Sequence, residues 1–190
     1  SKKLSNYDAK LIPVIKNRTV EEVKKVYDYG FREFGENRLE DYYLHSENFN
    51  DAIFHFIAPL QSRKIRSIFE NFEFIHTVSR YEEIDLISKL KNKREVFLQV
   101  NIDNDKNKSG IDPDLIFEYF EYSKDRINLP IGLMCIPNIQ SDPNIVFSKM
   151  QNINTELKNI YSEYKGELSM GMSEDYEIAP VSYTHLTLPT

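Results

Sequence analysis

The chain has 190 residues, 41% hydrophobic and 28% charged, with a formal net charge of −6. That length supports one domain with a sizeable core, and the acidic balance argues against a nucleic-acid-binding face. The single Cys135 excludes an internal disulfide framework and a multi-cysteine zinc site.

No apolar run approaches the roughly 20 residues of a membrane span. The N-terminal SKKLSNYDAK has no apolar core of the signal-peptide kind, so a cytoplasmic protein is expected. Leu11–Lys16 reads as a buried strand that ends on a lysine. A helix follows, with Val20, Val23, Val26 and Tyr27 on one face, Thr19 as N-cap and Gly30 as the stop. FREFGEN is a second strand, and Arg38 to about Ser46 a helix. AIFHFIAPL is a third strand, followed by a helix over Arg63–Phe72. FEFIHTV is a fourth strand, and RYEEIDLISKLKN an amphipathic helix with Ile84, Ile87 and Leu90 in register. EVFLQVNI is a fifth strand. The next helix has Asp112 as cap and Pro113 at its first position. Ile131–Ile136 is a sixth strand, NIVFSKMQNINTELKNIYSEYK a long helix, and ELSMGMS a seventh strand entering a glycine turn.

Strands that alternate with helices point to an α/β protein with a parallel sheet. A doubly wound open sheet and a (β/α)8 barrel compete, and the regular spacing favours the barrel. Seven strands are expected, with the last βα unit missing and two strand edges left open. Residues 180–190 break the style of the chain. VSYTHLTLPT resembles a library-adaptor sequence read through in one frame, so the barrel domain is expected over residues 1–179, and His185 is not counted among functional histidines.

Several strand ends carry chemistry. Lys16 would face the barrel mouth, where a partly buried amine forms a Schiff base with an aldehyde; the competing reading is a strand-end lysine in solvent. Asn37 in FGEN offers donor and acceptor, or serves as a helix cap. His55, on a buried strand, is more often a satisfied core histidine than a ligand. Met134 either packs on a flat ring or fills core. Ser169, Gly171, Met172 and Ser173 form a turn suited to phosphate, or a plain serine cap. NIDNDKNKSGID is not a calcium loop: Lys108 stands where the loop requires glycine, and Asp114 where it requires glutamate. An aldehyde for the lysine and a phosphate for the turn together describe pyridoxal 5′-phosphate (PLP).

LIPVIKN, FGENR, HFIAPLQSRK, FIHTV, NKSGI, GLMCIP and LSMGMSEDYEIA stand in the order seen in the PLP homeostasis proteins, and from Lys10 to Ala179 the chain resembles that YggS/PROSC-like family. The resemblance implies a barrel of the alanine racemase N-terminal-domain type. It implies PLP held as a lysine aldimine on Lys16, with Asn37, His55, Met134, Ser169, Gly171, Met172 and Ser173 around the cofactor. It also implies a monomer that buffers PLP or passes it to PLP-dependent apoenzymes, without catalytic turnover. Ala58 and Arg63 depart mildly from the family pattern, and its final VRIGTAIFG-like strand is missing. The alternatives are a fold-type III PLP enzyme, a racemase or decarboxylase, and a cofactor-free Schiff-base aldolase.

Overall fold

The computed structural model describes residues 10–105, 108–138 and 140–171, and the backbone of 185–189. Its strands are β1 (Lys10–Val14), β2 (Glu33–Glu36), β3 (Ile53–Phe56), β4 (Phe74–Val78), β5 (Glu95–Gln99), β6 (Gly132–Met134), β7 (Glu167–Ser169) and β8 (His185–Pro189). Between them run α1 (Val20–Asp28), α2 (Leu39–Asn48), α3 (Ile65–Asn71), α4 (Tyr81–Ser88), α5 (Ile116–Lys124) and α6 (Pro143–Ile160). The strands are parallel and close into a barrel in chain order.

The barrel class is the expected one, and the seven expected strands are all present. The two edges expected to stay open are joined by β8, which pairs with β1 over Lys10–Val14 and with β7 at Ser169. An extended Thr- and Leu-bearing segment fills the gap, because unpaired edge N–H and C=O groups favour any strand that reaches them. The connection from β7 to β8 lies outside the described residues.

Alternation along each strand divides the apolar side chains into two layers. Outward residues such as Phe34, Phe54, Phe56, Ile75, Val96, Leu98, Leu133 and Leu168 join helix residues in the main core. Among those partners are Ile68, Phe69, Ile84, Phe120, Phe147 and Met150. Burying each such side chain contributes about 1.5–3 kcal/mol. Inside the barrel, Phe97, Ile131 and Met134 pack with Phe74.

The helix starts follow their caps. Thr19 and Glu22 form a capping box on α1, worth about 1 kcal/mol. Asp112 caps the 3-10 turn before α5, and Asp142 caps α6 with Pro143 in its first turn. The first strand is shorter than expected: β1 stops at Val14, and Lys16 stands in the following turn beside Asn17, whose φ is +57°.

Candidate functional site

The C-terminal mouth is built from strand ends. Leu11 on β1 and Ile15 just after it belong to the outer layer, so Ile12 and Val14 face the interior by alternation. The chain then turns and exposes Lys16. On β2, Phe34 faces outward, and Asn37 follows at the strand end with its Oδ1 buried and without a hydrogen-bond partner. On β5, Val96 and Leu98 face outward and Phe97 inward. Gln99 therefore ends the strand on the inner side. Its Nε2 donates to the Ser109 carbonyl at 3.2 Å, while its Oε1 is buried without a partner.

Gln99, Met134 and Ser169 are aligned across β5, β6 and β7. Met134 packs on Phe97 and Ile131 in the interior. Gly171 follows β7, buried, with φ +93°. Met172 and Ser173 lie outside the described residues.

His55 and Ser169 belong to one buried ladder down the barrel. Ser169 Oγ lies 2.7 Å from His76 Nδ1, and His76 Nε2 lies 2.9 Å from His55 Nδ1. His55 Nε2 lies 3.2 Å from Glu33 Oε2, and Glu33 Oε1 pairs with Lys10. His55 stacks on Phe74, and His76 on Phe97. The His55 hydrogen bond holds the Glu33 carboxyl down to about 2, against partial burial and with help from Lys10. Burial lowers the basicity of His55, outweighing the pull of Glu33.

A second buried pair braces the mouth from outside. His45 on α2 and Glu36 on β2 are both fully buried, with Nδ1 3.2 Å from Oε2. His45 Nε2 lies 3.1 Å from the Arg18 carbonyl, and the Asn37 N–H donates to Glu36 Oε1 at 2.7 Å. The turn bearing Lys16 is thereby tied to the end of β2.

Lys16, Asn37, Met134, Ser169 and Gly171 thus gather at the C-terminal end of the barrel, with His55 deeper, in the ladder. Sequence reading missed Gln99, Glu33, His76, Glu36 and His45. Gln99 carried a fainter signal than Lys16: a lone polar side chain inside the apolar run EVFLQVNI. Among the described residues, no cluster of three or more His, Cys, Asp or Glu side chains could hold a metal ion.

No family model matches the chain. A pyridoxal phosphate homeostasis protein of Aquifex aeolicus is 33% identical over 181 residues, covering 90% of this chain and 79% of that protein. One from Haemophilus influenzae is 34% identical, covering 87% and 76%. Among solved structures, PipY of Synechococcus elongatus with PLP bound has a TM-score of 0.83 at 25% identity, covering 99% of this chain and 96% of that one. An alanine racemase from Oenococcus oeni, at 16% identity and TM-score 0.73, shares the fold; the match covers 59% of the racemase. With a third of its residues shared across most of these relatives' length, and with a barrel that superposes on PipY, the chain belongs to the pyridoxal phosphate homeostasis protein family.

Proposed function

We propose that this chain binds PLP at the C-terminal mouth, holds it through Lys16, and serves as a PLP carrier or buffer without turnover. The observation that carries the reading is the meeting, at one barrel end, of an exposed lysine with two buried, unpartnered amide oxygens, Asn37 Oδ1 and Gln99 Oε1. Buried polar atoms are almost always satisfied, so an orphaned pair marks a place for a ligand's donors. PLP fits that place, supplying an aldehyde for an amine together with ring and phosphate groups that can donate or accept.

Lys16 binds at the rim, where solvent reaches its amine. Asn37 and Gln99 accept from the ligand, and Met134 gives an apolar contact for a flat ring. Gly171, with φ +93°, shapes the backbone two residues beyond Ser169 for the phosphate side. Delivery to apoenzymes and a monomeric state belong to the same proposal.

The test is spectroscopic. On titration with PLP, the wild type is expected to develop the visible absorption of lysine-linked PLP. Lys16→Ala is expected to abolish it, and a full band in the variant refutes the assignment of Lys16. Incubating the loaded protein with L-alanine and assaying D-alanine separates the carrier from a racemase; sustained racemisation would establish the enzyme reading.

A further inference from the structure

The buried ladder has a direction, and Glu33 sets it. An ionised carboxylate only accepts, so His55 Nε2 carries a proton and donates to Glu33. A neutral His55 then has a bare Nδ1, which accepts from His76 Nε2–H. A neutral His76 in turn has a bare Nδ1, so the hydroxyl proton of Ser169 points down into the ladder. Ser169 ends β7 at the mouth, while Lys10 begins β1 at the opposite opening. The ladder therefore spans the barrel. In this state Ser169 shows only oxygen lone pairs to the mouth, which repel an anion.

We propose that anion binding at the mouth is coupled to proton uptake by the His55–His76 pair, which frees the Ser169 hydroxyl to donate to a phosphate group. One proton from solvent suffices. With it, His76 Nδ1 carries hydrogen and donates to Ser169 Oγ, and the Ser169 O–H swings toward the anion. The new charge sits on the pair, across an N–H···N bond kept whichever ring holds it, with Glu33 as counterion on the next rung. No covalent bond to a heavy atom changes except at the titrating nitrogens. Among the described residues, the other charged groups acting on His55 are Lys10 on β1 and Glu73 ahead of β4, and beyond Glu33 and Lys10 stands Glu167 on β7 with its own neighbours Lys165 and Glu95. They bias the pair but do not replace Glu33, the group in contact with His55.

The proposal rests on the mouth being a phosphate site, so its test avoids PLP. Sulfate serves as the probe, because it has no proton to give near neutral pH. Calorimetry of the full chain at pH 7.5, in two buffers of different ionisation enthalpy, is expected to show uptake approaching one proton per sulfate bound. Ser169→Ala is expected to abolish the uptake. Glu33→Gln is expected to reduce it strongly, since an amide can donate to His55 and reverse the ladder without an added proton. Before sulfate is added, nitrogen NMR is expected to show both histidines neutral and protonated at Nε2. Failure of sulfate to bind, binding without uptake, unchanged uptake in Ser169→Ala, or an Nδ1–H tautomer in the free protein would each overturn the coupling. The PLP band of Lys16 is measured separately, so failure here is distinguishable from failure of the cofactor reading.

Discussion

Replacing His45 with leucine is expected to destabilise the barrel by about 3–5 kcal/mol, the usual cost of removing one partner from a buried ion pair. Both ring nitrogens of His45 face oxygen atoms, Glu36 Oε2 and the Arg18 carbonyl. Only the imidazolium donates to both. Burial works against that charge, but the hydrogen bonds to Glu36 and to Arg18 outweigh it, and the pKa is raised. The sign follows from linkage. A histidine whose folded pKa lies above its unfolded value of about 6.5 adds stability that is fully present below that value. The contribution fades as pH rises through the folded pKa. Urea denaturation is therefore expected to show the wild type losing stability from near neutral pH upward, and the variant losing that part of the slope. An equal difference between wild type and variant at pH 5.5 and pH 8.5 would rule out the charged clamp. The same variant is expected to weaken PLP capture, because Arg18 lies two residues beyond Lys16 and Asn37 hydrogen-bonds to Glu36.

The order of elements was legible because apolar periodicity changes with each strand and helix. Thr19, Asp112 and Pro113 marked helix starts through local chemistry that needs no tertiary partner. Closure of the barrel was not legible. Residues 185–189 differ in composition from the rest, and what recruits them is the pair of edges on β1 and β7, a property of the folded sheet. β1 ends two residues before Lys16, since the apolar character and one last hydrogen bond to β2, from the Ile15 N–H to the Gly35 carbonyl at 2.9 Å, run past the strand's end at Val14. The family motifs named Lys16, Asn37, Met134 and Ser169 as site residues, and the fold sets all four at the C-terminal ends of strands. The motifs did not show that Ser169 turns inward to His76, which comes from a strand 93 residues away. Glu33 and His55 are 22 residues apart and meet only because β2 and β3 pair in register. Such contacts are written in the register between strands, which one sequence does not display.

Register also makes Gly132 the most fragile position of the inner layer. It is the first residue of β6 and pairs with Glu167 on β7. A Cβ there would lie 2.0 Å from the Glu167 carbonyl oxygen and 2.8 Å from Phe97 Cε1. The oxygen belongs to the neighbouring strand and cannot retreat without opening the β6–β7 ladder. The Phe97 ring is held by stacking on His76, with centroids 4.3 Å apart. Gly132→Ala is thus expected to cost about 3 kcal/mol or more, at or beyond the upper end for overpacking. Gly35→Ala makes a sharp contrast. There a Cβ would meet Val14 Cγ2 at 3.1 Å and Ile57 Cδ1 at 3.3 Å, both ends of side chains that can shift. That substitution is expected to cost less than about 1.5 kcal/mol. Parallel denaturation curves decide the matter: similar midpoints for the two variants would mean that β6 and β7 do not approach as closely as this barrel requires. A displaced Phe97 would also move His76, so Gly132→Ala should disturb the Ser169 hydroxyl even in whatever fraction of the protein remains folded.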